Sequence, residues 1–369
     1  MGRMRVLALG AVGAGLAAWA LADRQIGQRE VLTPIEAYPG GETVELAGLP
    51  FRYLERGPRD RAAGESVSRG PRNGTASASV SRGSGDGADG ESVSRGSGGG
   101  ADGEPIVLVH GFGSSSDAFA RVMPLLDPNR RVLALDLLGH GGSPRVAAPV
   151  YAPREHARYV RLFLDRFDID RAVVIGSSFG GAVAIALAAG YPDRVSRLIV
   201  ADSGVYMGDE VAGWLARLVA APAIGRPIGR MLANSFLISP RLFERFYRRA
   251  YSPHSDRIDP DVLDRALANR DVRGTVDAMA AMMRSALPLQ IKGDLRRVRA
   301  PALVIWGAND PMFPVSQGVK LAEELPNARL VVVPGVGHFP AEQAPDLFAR
   351  AVSDFLVGQR AEAPRPASA

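Results

Sequence analysis

Hydrophobic residues in this chain come in short unbroken runs rather than in strict alternation. Pro105-Ile106-Val107-Leu108-Val109, Arg131 to Leu135, Arg171 to Ile175, Leu198-Ile199-Val200-Ala201, Ala302-Leu303-Val304-Ile305-Trp306 and Arg329-Leu330-Val331-Val332-Val333 are the clearest. Successive side chains of a strand point to opposite faces, so a continuous apolar run marks a strand covered on both sides. Between these runs, Ser116 to Leu126, Ala152 to Phe167 and Gly181 to Ala189 read as helices, the second amphipathic and the third built of small residues. Strands alternating with helices predict an α/β fold with a mostly parallel, doubly covered sheet. Thr43 to Leu46 and Phe51 to Glu55, joined by Ala47-Gly48-Leu49-Pro50, predict an antiparallel hairpin ahead of it. Between Gly204 and Leu295 the alternation stops. Helical segments rich in Met, Phe and Arg replace it and predict an inserted helical cap over 204–295, with Met279, Met282 and Met283 packing lid against body.

Three stretches fall outside this pattern. Residues 1–22 carry Arg3 and Arg5 before an uncharged apolar run, Val6 to Ala22, ending in Ala20-Leu21-Ala22 ahead of Asp23. A run of about 17 residues rises roughly 25 Å as helix, a little short of a hydrocarbon core of about 30 Å. A cleaved signal peptide and a retained signal-anchor are therefore both open. Either sends the rest of the chain across the membrane, to a secreted, periplasmic or membrane-anchored location, with membrane contact through this segment if it is kept. Its Gly10-Ala11-Val12-Gly13-Ala14-Gly15 has the wrong glycine order for a dinucleotide loop. Residues 59–103 are Gly, Ser, Arg and Asp with a repeat, Val67-Ser68-Arg69-Gly70, Val80-Ser81-Arg82-Gly83 and Val93-Ser94-Arg95-Gly96. One valine per repeat cannot build a stacked core, so a disordered insertion is expected. Residues 358–369 read as a polar, Pro-rich disordered tail. The remainder divides into 23–58, 104–203 and 296–357, three pieces of one core.

Composition narrows the chemistry. The 369 residues are 46% hydrophobic and 22% charged, which suits a globular protein. The net charge of +5 comes from arginines interleaved with acids and without an aromatic platform, so no nucleic-acid partner is expected. There is no cysteine, which excludes thiolate nucleophiles and disulfides. No metal-ligand spacing occurs, and neither a metal nor a cofactor is expected.

The stretch Val173-Val174-Ile175-Gly176-Ser177-Ser178-Phe179-Gly180-Gly181 carries the chemistry. Its G-x-S-x-G core sits between a strand and a helix, the context in which a sharp turn lifts the central serine, Ser178, clear of the backbone. A serine hydroxyl needs a base, and the base needs a third group to orient it. His338, in the loop Gly335-Val336-Gly337-His338-Phe339-Pro340 after the last strand, is the base candidate. Asp310, in Gly307-Ala308-Asn309-Asp310, is the acid candidate, with Asp202 its competitor. All three favoured residues follow strands at their carboxyl ends, where open parallel sheets place their ligands. Ser177 is expected to be structural, His110 to support its loop, and His140 with Asp136 to hold the loop Asp136-Leu137-Leu138-Gly139-His140-Gly141-Gly142-Ser143. His156 and His254, among Arg and Asp, are expected to be solvated, as is the arginine-rich stretch 241–249.

H-G-F-G after one strand, D-x-x-G-H-G-x-S, G-x-S-x-G-G, G-x-x-D and G-H-F-P together resemble the α/β-hydrolase superfamily over about Val44 to Leu356. The resemblance is to its capped serine hydrolases, the small esterases, lipases and meta-cleavage-product hydrolases. It implies the chain order Ser178, Asp310, His338 for a catalytic triad, and an oxyanion hole from the backbone N–H groups of Phe112 and Phe179. Serine at 178 separates the chain from relatives with a carboxylate nucleophile. The implied function is a serine hydrolase cleaving small-molecule carboxylic esters of a fairly apolar acyl group through an acyl-enzyme. The alternatives are a carbon–carbon bond hydrolase of the meta-cleavage-product type and a membrane-tethered, non-catalytic binding protein on the same scaffold.

Loop closure costs only about 0.6 kcal/mol per doubling of length, so the repeat insertion is expected to be tolerated rather than needed. Replacing Ala62 to Asp102 with a four-residue Gly-Ser linker is predicted to change unfolding free energy by less than about 1.5 kcal/mol. Ester turnover should survive the deletion, and loss of turnover in a well-folded deletion would show that the insertion reaches the site.

Overall fold

The runs predicted as strands assemble into one eight-stranded sheet in the order β1-β2-β4-β3-β5-β6-β7-β8. The structure, a computed structural model, describes residues 33–58 except 39, 103–146, 151–206, and 240–361 except 270–271 and 287–290. The expected leader at 1–22, nearly all of the repeat insertion, residues 207–239 of the expected cap and residues 362–369 lie outside the described residues. The strands are β1 Glu42–Leu46, β2 Leu49–Arg56, β3 Ile106–Val109, β4 Val132–Leu135, β5 Ala172–Ser177, β6 Val195–Ala201, β7 Ala302–Gly307 and β8 Ala328–Val333. Pairs β1·β2 and β2·β4 are antiparallel and the remaining pairs parallel. The α-helices are α1 Pro34–Ala37, α2 Pro153–Arg166, α3 Phe179–Gly190, α4 Pro240–Ala250, α5 Pro260–Ala268, α6 Thr275–Ala286, α7 Lys292–Leu295, α8 Val315–Glu324, α9 Pro340–Gln343 and α10 Pro345–Ala361. Among the described residues, no helix is long and apolar enough to cross a membrane.

The unbroken apolar runs are explained by the two faces they serve. Val107 and Val109 of β3 join one core cluster with Phe163 of α2, Leu187 of α3 and Leu321 of α8. Ile106 and Leu108, one residue out of step, join the other with Phe348, Val352 and Phe355 of α10. Helix α3 is apolar all round and wholly buried up to Ala189, wedged between the sheet and α2. Helices α4 to α7 lie between β6 and β7, where the alternation stops. Met282 is fully buried in the body's core beside Leu137, Leu138 and Tyr151, while Met279 packs with Val276 and Ala280; the Met283 side chain lies outside the described residues.

Three local expectations need correction. The hairpin turns on Ala47-Gly48 alone, both at positive φ (53° and 77°), and Leu49 already pairs with Leu46. That backbone matches the tight turn that follows the right-handed twist of two strands. Ser116 to Leu126 is not one helix but two short 3₁₀ turns, Ser116–Phe119 and Met123–Leu125. Pro124 has no N–H to continue an α-helical ladder, and the turn bonds run from Ala120 N to Asp117 O and from Val122 N to Phe119 O. Helix α10 continues to Ala361, past the expected start of the tail at 358. Gln359, Arg360 and Ala361 are good helix formers, and one interior Gly costs only about 1 kcal/mol. Ahead of the hairpin, Tyr38 Oη donates to Arg265 O of α5 at 3.0 Å.

Arg52 of β2, 1% exposed, joins the loops that follow β3 and β4. Its Nη1 lies 3.1 Å from Asp117 Oδ2 and 3.0 Å from Asp136 Oδ2, and its Nε donates to Gly40 O at 2.8 Å. Asp136 Oδ1 takes the Ser116 N–H at 2.6 Å and Oδ2 the Gly142 N–H at 2.7 Å. Asp117 also meets Arg265 of α5 at 3.0 Å. Removing one member of a buried ionic network leaves the others charged and unpaired, which costs about 3–5 kcal/mol. Arg52→Ala is therefore predicted to lower unfolding free energy by about 3–5 kcal/mol in urea titrations. Arg52→Lys should recover only part of it, because an ammonium cannot span both carboxylates in one plane.

Candidate active site

Strand β5 ends at Ser177, and the chain breaks into α3 at Phe179 with Ser178 between them at φ 53° and ψ −117°. Bare backbone is what permits the turn. A Cβ on Gly176 would strike the Gly180 carbonyl, and one on Gly180 would strike the carbonyls of Val109 and His110. Ser178 is locked there by its N–H to Ala201 O of β6 at 2.8 Å. It thereby stands at the N-terminus of α3, where the first N–H groups of a helix lack intrahelical partners and favour negative charge.

The loops after β7 and β8 complete a hydrogen-bonded line. His338 Nε2 lies 3.0 Å from Ser178 Oγ, and its Nδ1 lies 2.8 Å from Asp310 Oδ2. Asp310 Oδ1 is taken by the N–H groups of Met312 and Phe313 at 2.7 and 3.0 Å. Those bonds fix the carboxylate so that one oxygen faces the imidazole. Asp202 lies beside this line, its carboxylate grouped within 4.8 Å of ligand-type atoms of Asp310 and His338. Its Oδ1 accepts the Gly307 N–H at 2.9 Å, and Oδ2 has no hydrogen-bond partner among the described residues. Burial, then the neighbouring Asp310, pushes its pKa well up, while Asp310 is the acid that makes the histidine contact.

Phe112 and Phe179 flank Ser178 from two directions. Phe179 is the first residue of α3, and Gly111, which precedes Phe112, faces Ser178 so closely that an added Cβ would lie 3.1 Å from the Ser178 Cβ. His110 supports that loop, its Nε2 accepting the Leu137 N–H at 3.0 Å. Ser178 and His338 open into a cleft of about 590 Å³, partly open to solvent, whose lining is mainly apolar and includes Phe119, Phe246, Met312 and Phe339.

Comparison with known proteins agrees with this architecture. The model of the alpha/beta hydrolase fold family matches residues 104–345. The chain belongs to the alpha/beta hydrolases. The 2-hydroxy-6-oxononadienedioate/2-hydroxy-6-oxononatrienedioate hydrolase of Paraburkholderia xenovorans (strain LB400) is 30% identical over 258 residues, 68% of this chain and 86% of that one. Est816, a solved structure described as an N-acyl homoserine lactone degrading enzyme, aligns with TM-score 0.60 at 25% identity, over 85% of this chain and 99% of its own. The meta-cleavage product hydrolase CumD of Pseudomonas fluorescens IP01, at TM-score 0.61 and 18% identity over 88% and 99% of the two chains, shares the fold. The protein is a hydrolase of this family.

In this alpha/beta hydrolase the histidine expectations divide. His140 does hold its glycine-rich loop, its Nδ1 3.1 Å from Leu138 O, and His254 is half-buried. His156 is not solvated: it is fully buried on α2, its ring 5.4 Å from that of Phe179 and 6.2 Å from that of His140. The sequence around it is charged, but on a helix only one face meets the sheet, and His156 shares that face with Val160 and Phe163. Two residues escaped the sequence reading altogether. Glu342 of α9, four positions after His338, accepts from the hydroxyls of Tyr247 and Tyr251 at 3.0 and 2.6 Å. The available signal was an acid inside the apolar stretch His338-Phe339-Pro340-Ala341. Gln343 next to it accepts the Gly337 and Phe339 N–H groups and donates to Tyr251 O at 2.8 Å.

Burial pushes His156 down to about 3, with His110 as a lesser cause. The folded state therefore holds it neutral, while the unfolded chain binds a proton near pH 6.5. The contribution is present above about pH 6.5 and is lost as pH falls toward the folded value. Relative to wild type, His156→Phe is predicted to gain about 2 kcal/mol of unfolding free energy between pH 7 and pH 5. Denaturant titrations at the two pH values check this, and an unchanged difference would contradict a neutral buried His156.

Proposed function

We propose that the protein is a serine esterase acting on small-molecule carboxylic esters with a fairly apolar acyl group. The observation that carries this reading is the line Asp310–His338–Ser178, which ends at a hydroxyl open to a mainly apolar cleft. His338 Nε2 takes the Ser178 proton as Oγ attacks the ester carbonyl, and Asp310 holds the imidazolium that forms. The N–H groups of Phe112 and Phe179 receive the oxyanion, each donor worth on the order of 3 kcal/mol in the transition state. His338 returns the proton to the departing alcohol, and water then attacks the acyl-enzyme with the same base. The apolar run of residues 6–22 supports an exported enzyme.

Carbon–carbon hydrolysis is the second reading, favoured by the dienedioate and trienedioate hydrolases among the relatives. Such dianionic substrates call for a cation in the pocket. Among the described residues lining the cleft there is no Arg or Lys, and Glu342 supplies a carboxyl instead, which favours the ester.

Ser178→Ala and His338→Ala are each expected to abolish hydrolysis of 4-nitrophenyl esters while leaving the melting temperature nearly unchanged. Together they should cost little more than either alone, since the residues act as a unit. More than a few per cent of activity in either single variant would overturn the assignment. Asp310→Asn should lower turnover by a large factor, and Asp202→Asn should leave it within a few-fold; the opposite result would move the acid to Asp202.

A further inference from the structure

The ester reading leaves one feature of the cleft unused. Glu342 is 3% exposed and lines the same cleft as Ser178 and His338. Both of its hydrogen bonds to tyrosine hydroxyls fall on one oxygen, Oε2. Tyr247 lies in the last turn of α4 and Tyr251 just after it, and both are fixed, their rings 5.1 and 5.4 Å from that of Phe339. These partners are neutral donors. Arg121, the nearby cation, donates from its Nη1 to the Glu342 backbone carbonyl at 3.0 Å and attracts the carboxylate from there without a hydrogen bond to it. A carboxylate with neutral partners, buried on the wall of a mainly apolar cleft, keeps its field, because little solvent screens it.

We propose that Glu342 is a specificity-determining residue that turns away esters bearing a negative charge on the acyl group and favours neutral ones. The inference rests on the ester reading above and adds the substrate's charge class. A second negative charge brought several ångströms from a buried carboxylate meets a repulsion large enough for discrimination of about tenfold or more. The groups that face Glu342 are Tyr247 from α4, Tyr251 just after it, Arg121 from the segment between β3 and β4, Asp259 ahead of α5, and His338 of the loop after β8. Burial pushes Glu342 up to about 7, against the opposing tyrosine bonds and Arg121, with Asp259 adding to the rise. The carboxyl therefore gains its charge as pH rises through about 7, and the discrimination should appear over the same range.

The test compares 4-nitrophenyl butyrate with 4-nitrophenyl hydrogen succinate, which differ by a terminal methyl against a carboxylate, each corrected for spontaneous hydrolysis. The ratio of their kcat/KM values cancels the titration of the catalytic base, which both esters share. At pH 8 the wild type should prefer the butyrate about tenfold or more beyond the preference seen at pH 6. Glu342→Gln, which keeps an acceptor for the tyrosines, should collapse the pH 8 ratio mainly through a lower KM for the succinate, and its ratio should be flat from pH 6 to pH 8. Tyr251→Phe removes one bond to the carboxylate and should move the wild-type midpoint of the ratio to higher pH. A wild-type ratio at pH 8 no larger than that of Glu342→Gln would overturn the proposal. So would a Glu342→Gln variant that slows both esters equally, since a mere strut for the cap would do that. Hydrolysis of neither ester by the wild type would instead overturn the ester reading itself, and this inference with it.

Discussion

Ser178 occupies φ 53° and ψ −117°, where a residue with a side chain is strained by about 1–3 kcal/mol, and it persists because its surroundings over-determine it. Two glycines allow the strand and helix to meet at contact distance, and the Ser178 N–H is fixed to β6. The parallel sheet enters here as more than a frame. β5 is central, with β3 on one side and β6 on the other, so the loops from both neighbours reach the serine from opposite sides. One brings Gly111 and Phe112, the other brings Asp202. The next strands, β7 and β8, deliver Asp310 and His338. The strain is met by the burial of strands covered on both faces, the main favourable term in such a fold.

A second constraint is ionic. Arg52 reaches across from the antiparallel edge and meets two aspartates, one from the loop after β3 and one from the loop after β4. Asp117 is shared with Arg265 of the cap. A buried ion pair is a weak source of net stability, because desolvation offsets most of its attraction. What it does supply is placement: loops that carry little hydrophobic area are held in one arrangement by groups that cannot be left unpaired.

The parts legible in the sequence are those whose cause is local. Continuous apolar runs announce strands buried on both faces, and G-x-S-x-G between a strand and a helix announces a lifted serine, so the sheet and the position of Ser178 could be read without coordinates. Asp310 and His338 followed from their places after strands. Properties set by distant partners were not legible. His156 looked solvated because its neighbours in sequence are charged, yet its neighbours in space are Tyr151, Phe179 and His140. Arg52 reads as a charge between two aromatics until Asp117 and Asp136 are brought to it. Glu342 acquires its surroundings from tyrosines more than ninety positions upstream. Ser116 to Leu126 failed for a different reason: apolar spacing suggested a helix, and a single proline decided against it.

The cap's grip on the histidine loop has a mechanical consequence. The last turn of α4 accepts the His338 N–H at the Ala250 carbonyl, 2.8 Å away, and the following Tyr251 carbonyl takes the Gln343 amide. Helix α4 and the His338 loop are thus fastened backbone to backbone. Swinging that helix outward would either tear these bonds or drag His338 away from Ser178, so this part of the cap cannot serve as a free door. Width of entry and the contact between His338 and Ser178 are opposed along this one coordinate, and that contact is kept only when α4 is home.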